Sequence, residues 1–521
     1  MLFSITFSGC GGGGGSTGTV AITAIATTTA QSLTVGTTMT SFSPLTPSGG
    51  ANPYTYSYTG TLPTGLSFNA STGAVTGTPT VVYVPANLVF AVKDANNVVA
   101  STNSTVIFIV SLAGTRQMGV SGHEIHGQST MTDANGNVYV VGQALGGLDG
   151  NNMIGTPFDG FLTKYDATGT KLYTKQIGVT GASTYGSSVA TDMNGNVYVA
   201  GQTSGGLYGN ILKGTADFFL IKYDSSGTRL YTKQLGVAGA HTEGSATATD
   251  ASGNVYVVGS TQGNLDGNTL AGTTDFFLTK YNASGTKLYT KQLGVAGTDT
   301  YGSSVATDVS GNVYVTGHTT GGLDGNTLTG LKDFFFTKYD VTGARAYTMQ
   351  VGVAGKYTSG NSVATDANGN IYVSGSTSGG LDGNNLTGTY DFFLTKYDVT
   401  GTKVYTKQMG VAGKYTFGYS VATDASRNVY VAGQTYGGLD GNNMKGTLYD
   451  AFLTKYDATG TKLFTKQIGV SGANTDGTSV ATDTSSNAYV TGSTTGGLDG
   501  NTLTGTYDFF LMKFNSSGIK Q

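Results

Sequence analysis

From about residue 115 onward, apolar residues fall in short runs separated by Gly, Asp and Asn, and none of the runs keeps helical spacing. Residues 179–236 show the unit: β-favouring runs at Ser188 to Thr191, Asn196 to Ala200, Asp217 to Tyr223 and Leu230 to Gln234, each bounded by turn residues. The unit recurs, closing on Gly119, Gly178, Gly236, Gly294, Gly352, Gly410 and Gly469, at spacings of 58 or 59 residues. A near-constant period means one structural unit per copy. In the third run, DFFLTKY at 275–281, Phe276 and Leu278 point to one face while Phe277 and Tyr281 point to the other. Apolar groups on both faces predict a sheet covered on both sides by neighbours. The fourth run, KLYTKQ, is polar enough to be the outermost strand.

Four antiparallel strands per unit, packed face to face around an axis, predict an all-β fold: a seven-bladed β-propeller of four-stranded blades. The count supports closure of the ring. The first three runs occur seven times, beginning near Gln128, Ser187, Ser245, Ser303, Asn361, Tyr419 and Thr478, but only six fourth runs follow Gly119. The leftover copy, Thr115 to Met118, precedes the first set and is expected to pair with Asp508 to Phe514, completing the last blade and covering its edge.

The strings GSSVATDMNGNVYVAG at 186–201 and DFFLTKYNASGTKLYTKQLG at 275–294, with the glycine-rich connection between such strings, resemble the bacterial SBBP β-propeller repeat family. The resemblance covers about 115 to 521, essentially the whole of the expected propeller domain 113–521, and implies an exported or surface protein. The segment 17–112 differs: it carries six of the seven prolines and β-favouring runs at Ser32 to Thr38, Val81 to Val84, Leu88 to Val92 and Thr105 to Val110. Its LPTGLSF at 62–68, Thr72-Gly73 and Gly77-Thr78-Pro79 resemble the Ig-like domains of bacterial surface proteins, which implies a small Ig-like β-sandwich serving as a spacer. In residues 1–16, Phe7-Ser8-Gly9-Cys10 resembles the lipobox of bacterial lipoproteins, with Phe7 where that family usually has Leu, and Gly11 to Gly15 follow as a tether. That resemblance implies lipidation at Cys10 and a membrane partner reached through a lipid anchor, placing the protein in the cell envelope, at the outer membrane, surface-exposed or periplasmic.

Composition narrows the classes. The 83 glycines sit beside 32 Tyr and 23 Phe, enough aromatic material for a packed core, so the chain is not read as disordered. A net charge of −3 without a Lys/Arg cluster argues against a nucleic-acid partner. One cysteine excludes an intramolecular disulfide.

Three recurring carboxylates are candidates for chemistry. Asp192 and its equivalents Asp133, Asp250, Asp308, Asp366, Asp424 and Asp483 open the turn before the second run and are read as turn residues. In the long connection that follows, LDGN supplies Asp149, Asp266, Asp324, Asp382, Asp440 and Asp499, and the third run starts with Asp159, Asp275, Asp333, Asp391, Asp450 and Asp508. These are read first as tight turns and strand caps, with no cofactor; the alternative is Ca²⁺ held by the two carboxylates and loop carbonyls. Tyr208 replaces the first Asp in the second copy, so a metal cannot be essential to every copy. His123-Glu124-Ile125-His126 has the wrong spacing for a helical zinc motif.

Strands that alternate in direction put the long connections and the blade-to-blade connections on one face, and that face carries most of the variation between copies. His123, Glu124, His126, Tyr185, His241, Glu243, Tyr301, Lys356, Tyr357, Lys414, Tyr415 and Phe417 form the candidate binding face. The expectation is a monomeric, non-enzymatic binding or adhesion module for a protein or glycan. The alternatives are a structural envelope protein and a propeller enzyme of lyase or glycosidase type.

Overall fold

The structure, a computed structural model, describes residues 21–521 apart from 28–29, 35–37, 81–82, 102–105 and 112–113. Cys10 and the glycine run lie outside the described residues. The chain divides into two compact units, Met1–Ala113 and Gly114–Gln521.

In the second unit, each copy folds its four runs into one antiparallel sheet in chain order. The second copy uses Thr184–Thr191, Val197–Thr203, Asp217–Tyr223 and Arg229–Leu235. Six sheets are built this way. A seventh combines Thr475–Thr482, Ala488–Thr494 and Asp508–Phe514 with Arg116–Met118, so that Arg116 lies opposite Leu511 and Met118 opposite Phe509. The pairing expected from the strand count is therefore present.

A circuit of hydroxyls ties the first strands together. Thr191 Oγ1 donates to the Thr132 carbonyl at 3.1 Å, and Thr249, Thr307, Thr365, Thr423 and Thr482 each donate to the equivalent carbonyl one copy earlier. Thr132 Oγ1 donates to the Thr482 carbonyl at 2.6 Å and closes the circuit. Serines add a second set of links, such as Ser188 Oγ accepting from Thr247 N–H at 3.1 Å.

The core lies between the sheets. Phe276 and Leu278 pack with Val313, Val315 and Phe335 of the following copy, whereas Phe277 and Tyr281 pack with Tyr198, Phe218 and Leu220 of the preceding one. The Phe276 and Phe335 rings stack with centroids 5.1 Å apart. This is the two-sided burial that DFFLTKY predicts. The fourth strand is the exposed one, with Lys287 and Leu288 at the surface. The closing glycine of each copy is required by close approach: a Cβ on Gly294 would lie 1.7 Å from Asp275 Oδ1.

One boundary differs from expectation in a way that matters for function. The first strand begins at Thr184, not Ser188, because it continues through a β-bulge between Gly186 and Ser188. The Gly-Ser sequence reads as a turn but serves here as the extra residue of the bulge.

The first unit has a five-stranded sheet ordered Ala30–Thr34, Val106–Ser111, Tyr83–Lys93 and Thr55–Thr59, with Val99–Ser101 also on Tyr83–Lys93. Two hairpin-like pairs accompany it: Thr23–Ala26 with Leu45–Ser48, and Leu66–Phe68 with Val75–Gly77. Leu88, Phe90, Val92, Val106 and Phe108 form its core together with Val75. The runs expected separately at Val81 to Val84 and Leu88 to Val92 belong to the single strand Tyr83–Lys93, whose register shifts between Tyr83 and Ala86. Pro85 sits in that irregularity, where a strand tolerates a residue without an N–H.

Candidate functional site

Six of the seven sheets of the second unit end, on the long-loop side, in the same polar base; in the first copy Ile125 and Ala144 stand where the others have Thr, and only Asp159 is kept. In the third copy Thr242 lies opposite Thr261, with their hydroxyls 3.0 Å apart, and Thr261 lies opposite Asp275. All three are fully buried. Asp275 accepts backbone N–H bonds from Ala271 and Gly272 at 2.8 Å and the Gln292 amide at 3.0 Å. The same three acceptor bonds are made by Asp159, Asp333, Asp391, Asp450 and Asp508. These carboxylates pin the long connection.

The LDGN carboxylates have a different partner. Asp149, Asp266, Asp382, Asp440 and Asp499 pair with Lys171, Lys287, Lys403, Lys462 and Lys520, and Asp324 pairs with Arg345. Each of these Asp residues adopts positive φ, as Asp266 does at 55°, a conformation Asp tolerates better than most residues. In the second copy Tyr208 takes the same conformation, and the Arg229 guanidinium lies 3.9 Å from its ring centroid. A cation–π contact thus replaces the ion pair. The two carboxylates of a connection are committed to separate protein partners, and among the described residues no three His, Cys, Asp or Glu side chains gather to hold a metal ion. The turn aspartates are equally committed: Asp250 accepts from Ser252 and Asn254 N–H, the Asn254 amide and the Tyr256 hydroxyl, all within 3.0 Å.

Above the polar base, five positions per junction between sheets change identity while the backbone repeats. They are the residue before the third strand, the residues on either side of the Thr (Ile125 in the first copy) that starts the next first strand, and two at the end of the next second strand. The first two bridge each other across sheets, as in Ala216 with His241, Thr274 with Asp299, Lys332 with Tyr357, Tyr390 with Tyr415 and Tyr507 with Glu124.

Four sectors result. Where the last sheet meets the first, His126 Nδ1 lies 3.1 Å from Ser493 Oγ, its Nε2 lies 3.3 Å from Glu124 Oε2, and its ring centroid is 5.0 Å from that of Tyr507. Asp476, on the neighbouring first strand, accepts the Ser493 N–H at 2.6 Å. Burial pushes its carboxyl up to about 6, against the opposing pull of that N–H and of His126. The next sector is a polar pocket of about 340 Å³ lined by Gln143, Tyr185, Gln202 and Glu243; His241 Nε2 is 3.6 Å from Glu243 Oε2. In the third, the Tyr301 and His318 rings pack at a tilt of 31° with centroids 5.1 Å apart. Burial, helped by Lys332 and opposed by Asp299, pushes the His318 imidazole down to about 4. The fourth is aromatic, comprising Tyr390, Tyr415, Phe417 and Tyr436, with Tyr449 beyond.

The opposite end of the ring is uniform by comparison: its recess of about 290 Å³ is lined by repeated Val, Ala and Thr such as Val305, Ala306 and Thr307.

The sequence-derived candidates are distributed unevenly over this rim. His126, Tyr185, Glu243, Tyr301 and Phe417 stand inside the first strands, past the bulge, rather than in exposed loops as expected. Glu124, His241, Tyr357 and Tyr415 occupy the bridging position, and His123, Lys356 and Lys414 lie outside the strands, His123, Lys356 and Lys414 being exposed. Sequence reasoning did not single out Tyr390, Tyr449, Tyr507, His318 or Tyr436. The usable signal was copy-to-copy alignment of the residue before each DFF, where Ala, Thr, Lys and Tyr alternate.

The SBBP family, described as a beta-propeller repeat, matches residues 172–209, 230–266, 288–324, 346–382, 404–440 and 463–499. The He_PIG Ig-domain family matches residues 12–110. Among curated proteins, the regulatory protein FlaEY of Caulobacter vibrioides is 28% identical over 210 residues; the match covers 36% of this chain and only 22% of that protein. Among solved structures, a PL25 ulvan lyase bound to an oligosaccharide is 13% identical with a TM-score of 0.42, covering 77% of this chain and 97% of the other. A gluconolactonase from Xanthomonas campestris is 12% identical with a TM-score of 0.34, covering 68% and 89%.

Proposed function

Because this chain carries six SBBP β-propeller repeats behind an Ig-family domain, it is a β-propeller repeat protein, and we propose that it is a seven-bladed binding module of the cell envelope, without catalytic activity. The observation that carries the reading is the contrast between the two ends of the ring. One end repeats Val, Ala and Thr. At the other, positions with the same backbone hold Tyr, Phe, His, Glu, Asp or Lys. A scaffold that keeps its core and diversifies one rim presents a composite surface to a ligand. The He_PIG-matched unit acts as the spacer, and lipidation of Cys10 anchors the chain in the membrane. Among the described residues no helix is long and apolar enough to cross a membrane.

The test is binding of the purified chain to immobilised glycans and extracellular-matrix proteins, comparing rim substitutions with substitutions at Val305 and Val363. Retention that depends on the rim supports the reading, and absence of retention on every surface sinks it. Mass spectrometry of the N-terminal peptide from the native host decides the anchor: an unmodified Cys10 in a soluble fraction removes it.

The Glu124, His126 and Asp476 group favours a second reading, acid–base catalysis on a bound polymer. Depolymerisation by the purified chain, lost in His126→Ala, would place that reading first.

A further inference from the structure

The rim is not evenly aromatic. At the junction holding Ala216, His241, Glu243, Ser260 and Gln262, the five positions contain no aromatic residue except imidazole, yet the backbone bridge there is the same. Aromatic rings are therefore not needed to hold a junction. At the junction between the fifth and sixth copies, the equivalent positions are Tyr390, Tyr415, Phe417, Gln434 and Tyr436. Tyr390 stacks on Tyr415 at 5.9 Å and meets Phe417 at 5.5 Å, and Tyr415 meets Tyr436 edge-on at 5.6 Å. Tyr436 continues to Tyr449 at 5.4 Å, which belongs to the next junction. Tyr507 acts on the Tyr449 hydroxyl, adding to burial in holding it well above the usual phenol range, and Tyr507 in turn faces His126. Tyr415 is 42% exposed and the other rings are half-buried.

We propose that the strip from Tyr390 through Tyr415, Tyr436 and Tyr449 to Tyr507 binds a chain of pyranose sugars, with Asp476, Ser493, His126 and Glu124 gripping hydroxyls at its far end. This rests on the binding reading above and names the ligand class. The three ring steps from Tyr390 to Tyr449, 5.9, 5.6 and 5.4 Å, are comparable to the length of one sugar ring. Aromatic faces take the C–H faces of sugars, and tyrosine adds a hydroxyl at the edge where the sugar's own hydroxyls emerge. The far end supplies two carboxylate acceptors, one hydroxyl and an imidazole within hydrogen-bonding reach of one another, the polar set that a polyhydroxylated ligand requires. Carboxylates at the end of the strip and a chain charge of −3 repel a nucleic acid, whose bases would otherwise stack on the same rings. Burial of the Asp476 carboxyl lets it pass from acceptor to donor near pH 6, so the grip on a hydroxyl changes there.

The experiment uses the full chain against a printed panel of neutral and uronic-acid-containing oligosaccharides, followed by titration of the retained ones. The chain has no tryptophan, so emission comes from its 32 tyrosines, and a change on binding is assigned to the strip only where the strip variants lose it. The expected result is saturable binding with a change in tyrosine emission, weakened about tenfold or more in Tyr415→Ala combined with Tyr436→Ala. Leu288→Ala, exposed on an outer fourth strand and away from the rim, leaves it unchanged, and Tyr436→Phe tests the hydroxyl while keeping the ring. Matched thermal melts exclude unfolding of the variants. Retention of no oligosaccharide, or binding unaffected by the double substitution, overturns the proposal. A chain that binds a matrix protein through the rim but no sugar loses the glycan assignment and keeps the binding reading; a chain that binds neither loses both.

Discussion

Gln117 Nε2 donates to Asp508 Oδ2 at 3.0 Å, joining residues 391 positions apart. In every other sheet the equivalent bond, such as Gln292 to Asp275, spans only 17 positions. Gln117 also accepts the Leu498 N–H at 2.9 Å and donates to the Gly496 carbonyl at 3.1 Å, as Gln292 does with Leu265 and Gly263. The N-terminal strand thus restores a complete local unit from the two ends of the ring. Deleting residues 115–118 should lower the melting temperature of the whole second unit, because it strips the edge of Asp508–Phe514 and leaves Asp508 without its amide partner. Deleting residues up to about 110 should leave that melt in place. A calorimetric trace in which the 115–118 deletion melts like the parent chain would refute closure.

The two carboxylates of each long connection should behave differently on substitution. Asp391 is fully buried and takes three hydrogen bonds, so Asp391→Ala strands Thr387 N–H, Gly388 N–H and the Gln408 amide, at a cost of about 3 kcal/mol. Asp382 makes a surface ion pair with Lys403, and Asp382→Ala should cost about 1 kcal/mol or less. Chemical denaturation measures both. A melt with millimolar calcium and with chelator completes the test: a calcium-dependent rise in melting temperature would show that these carboxylates also bind the ion.

Ala246 interrupts the serine links between first strands. Ser304 Oγ accepts the Val363 N–H at 3.2 Å and Ser188 Oγ accepts that of Thr247 at 3.1 Å, but at the position facing Val305 the third copy has a methyl group. Ala246→Ser should stabilise the ring by about 1 kcal/mol, read from the denaturation midpoint, since the donor is already positioned in the strand. A destabilised variant would mean that the hydroxyl does not fit the space.

His318 should make the protein sensitive to mild acid. Its imidazole is held down to about 4 by burial and by Lys332, beside Tyr301 and Asp299. The folded state therefore binds fewer protons than the unfolded chain between about pH 6.5 and pH 4, and stability falls as pH drops through that window. Asp476, raised to about 6, acts in the opposite direction, gaining stability as it protonates. His318→Gln removes the first effect, so relative to the parent it should gain up to about 3 kcal/mol between pH 7 and pH 4. Parallel stability curves for the two proteins would rule this out.

The repeat period, the number of strands, the two-sided burial of DFFLTKY and the pairing of Thr115–Met118 with Asp508–Phe514 all followed from residues read in order. Each depends on local alternation repeated in copies, and repetition makes a weak β signal countable. The rim did not follow. A bulge at Gly186 carries Tyr185 into a strand, although Gly-Ser-Ser by itself reads as a turn. Tyr390 and Tyr415 are 25 positions apart and belong to different sheets, and they meet only because the end of one long connection bridges the start of the next sheet. His126 and Ser493, separated by 367 positions, meet only because the ring closes. Alternation along a strand decides which side chains are buried; which exposed side chains become neighbours is decided by the packing of one sheet on the next.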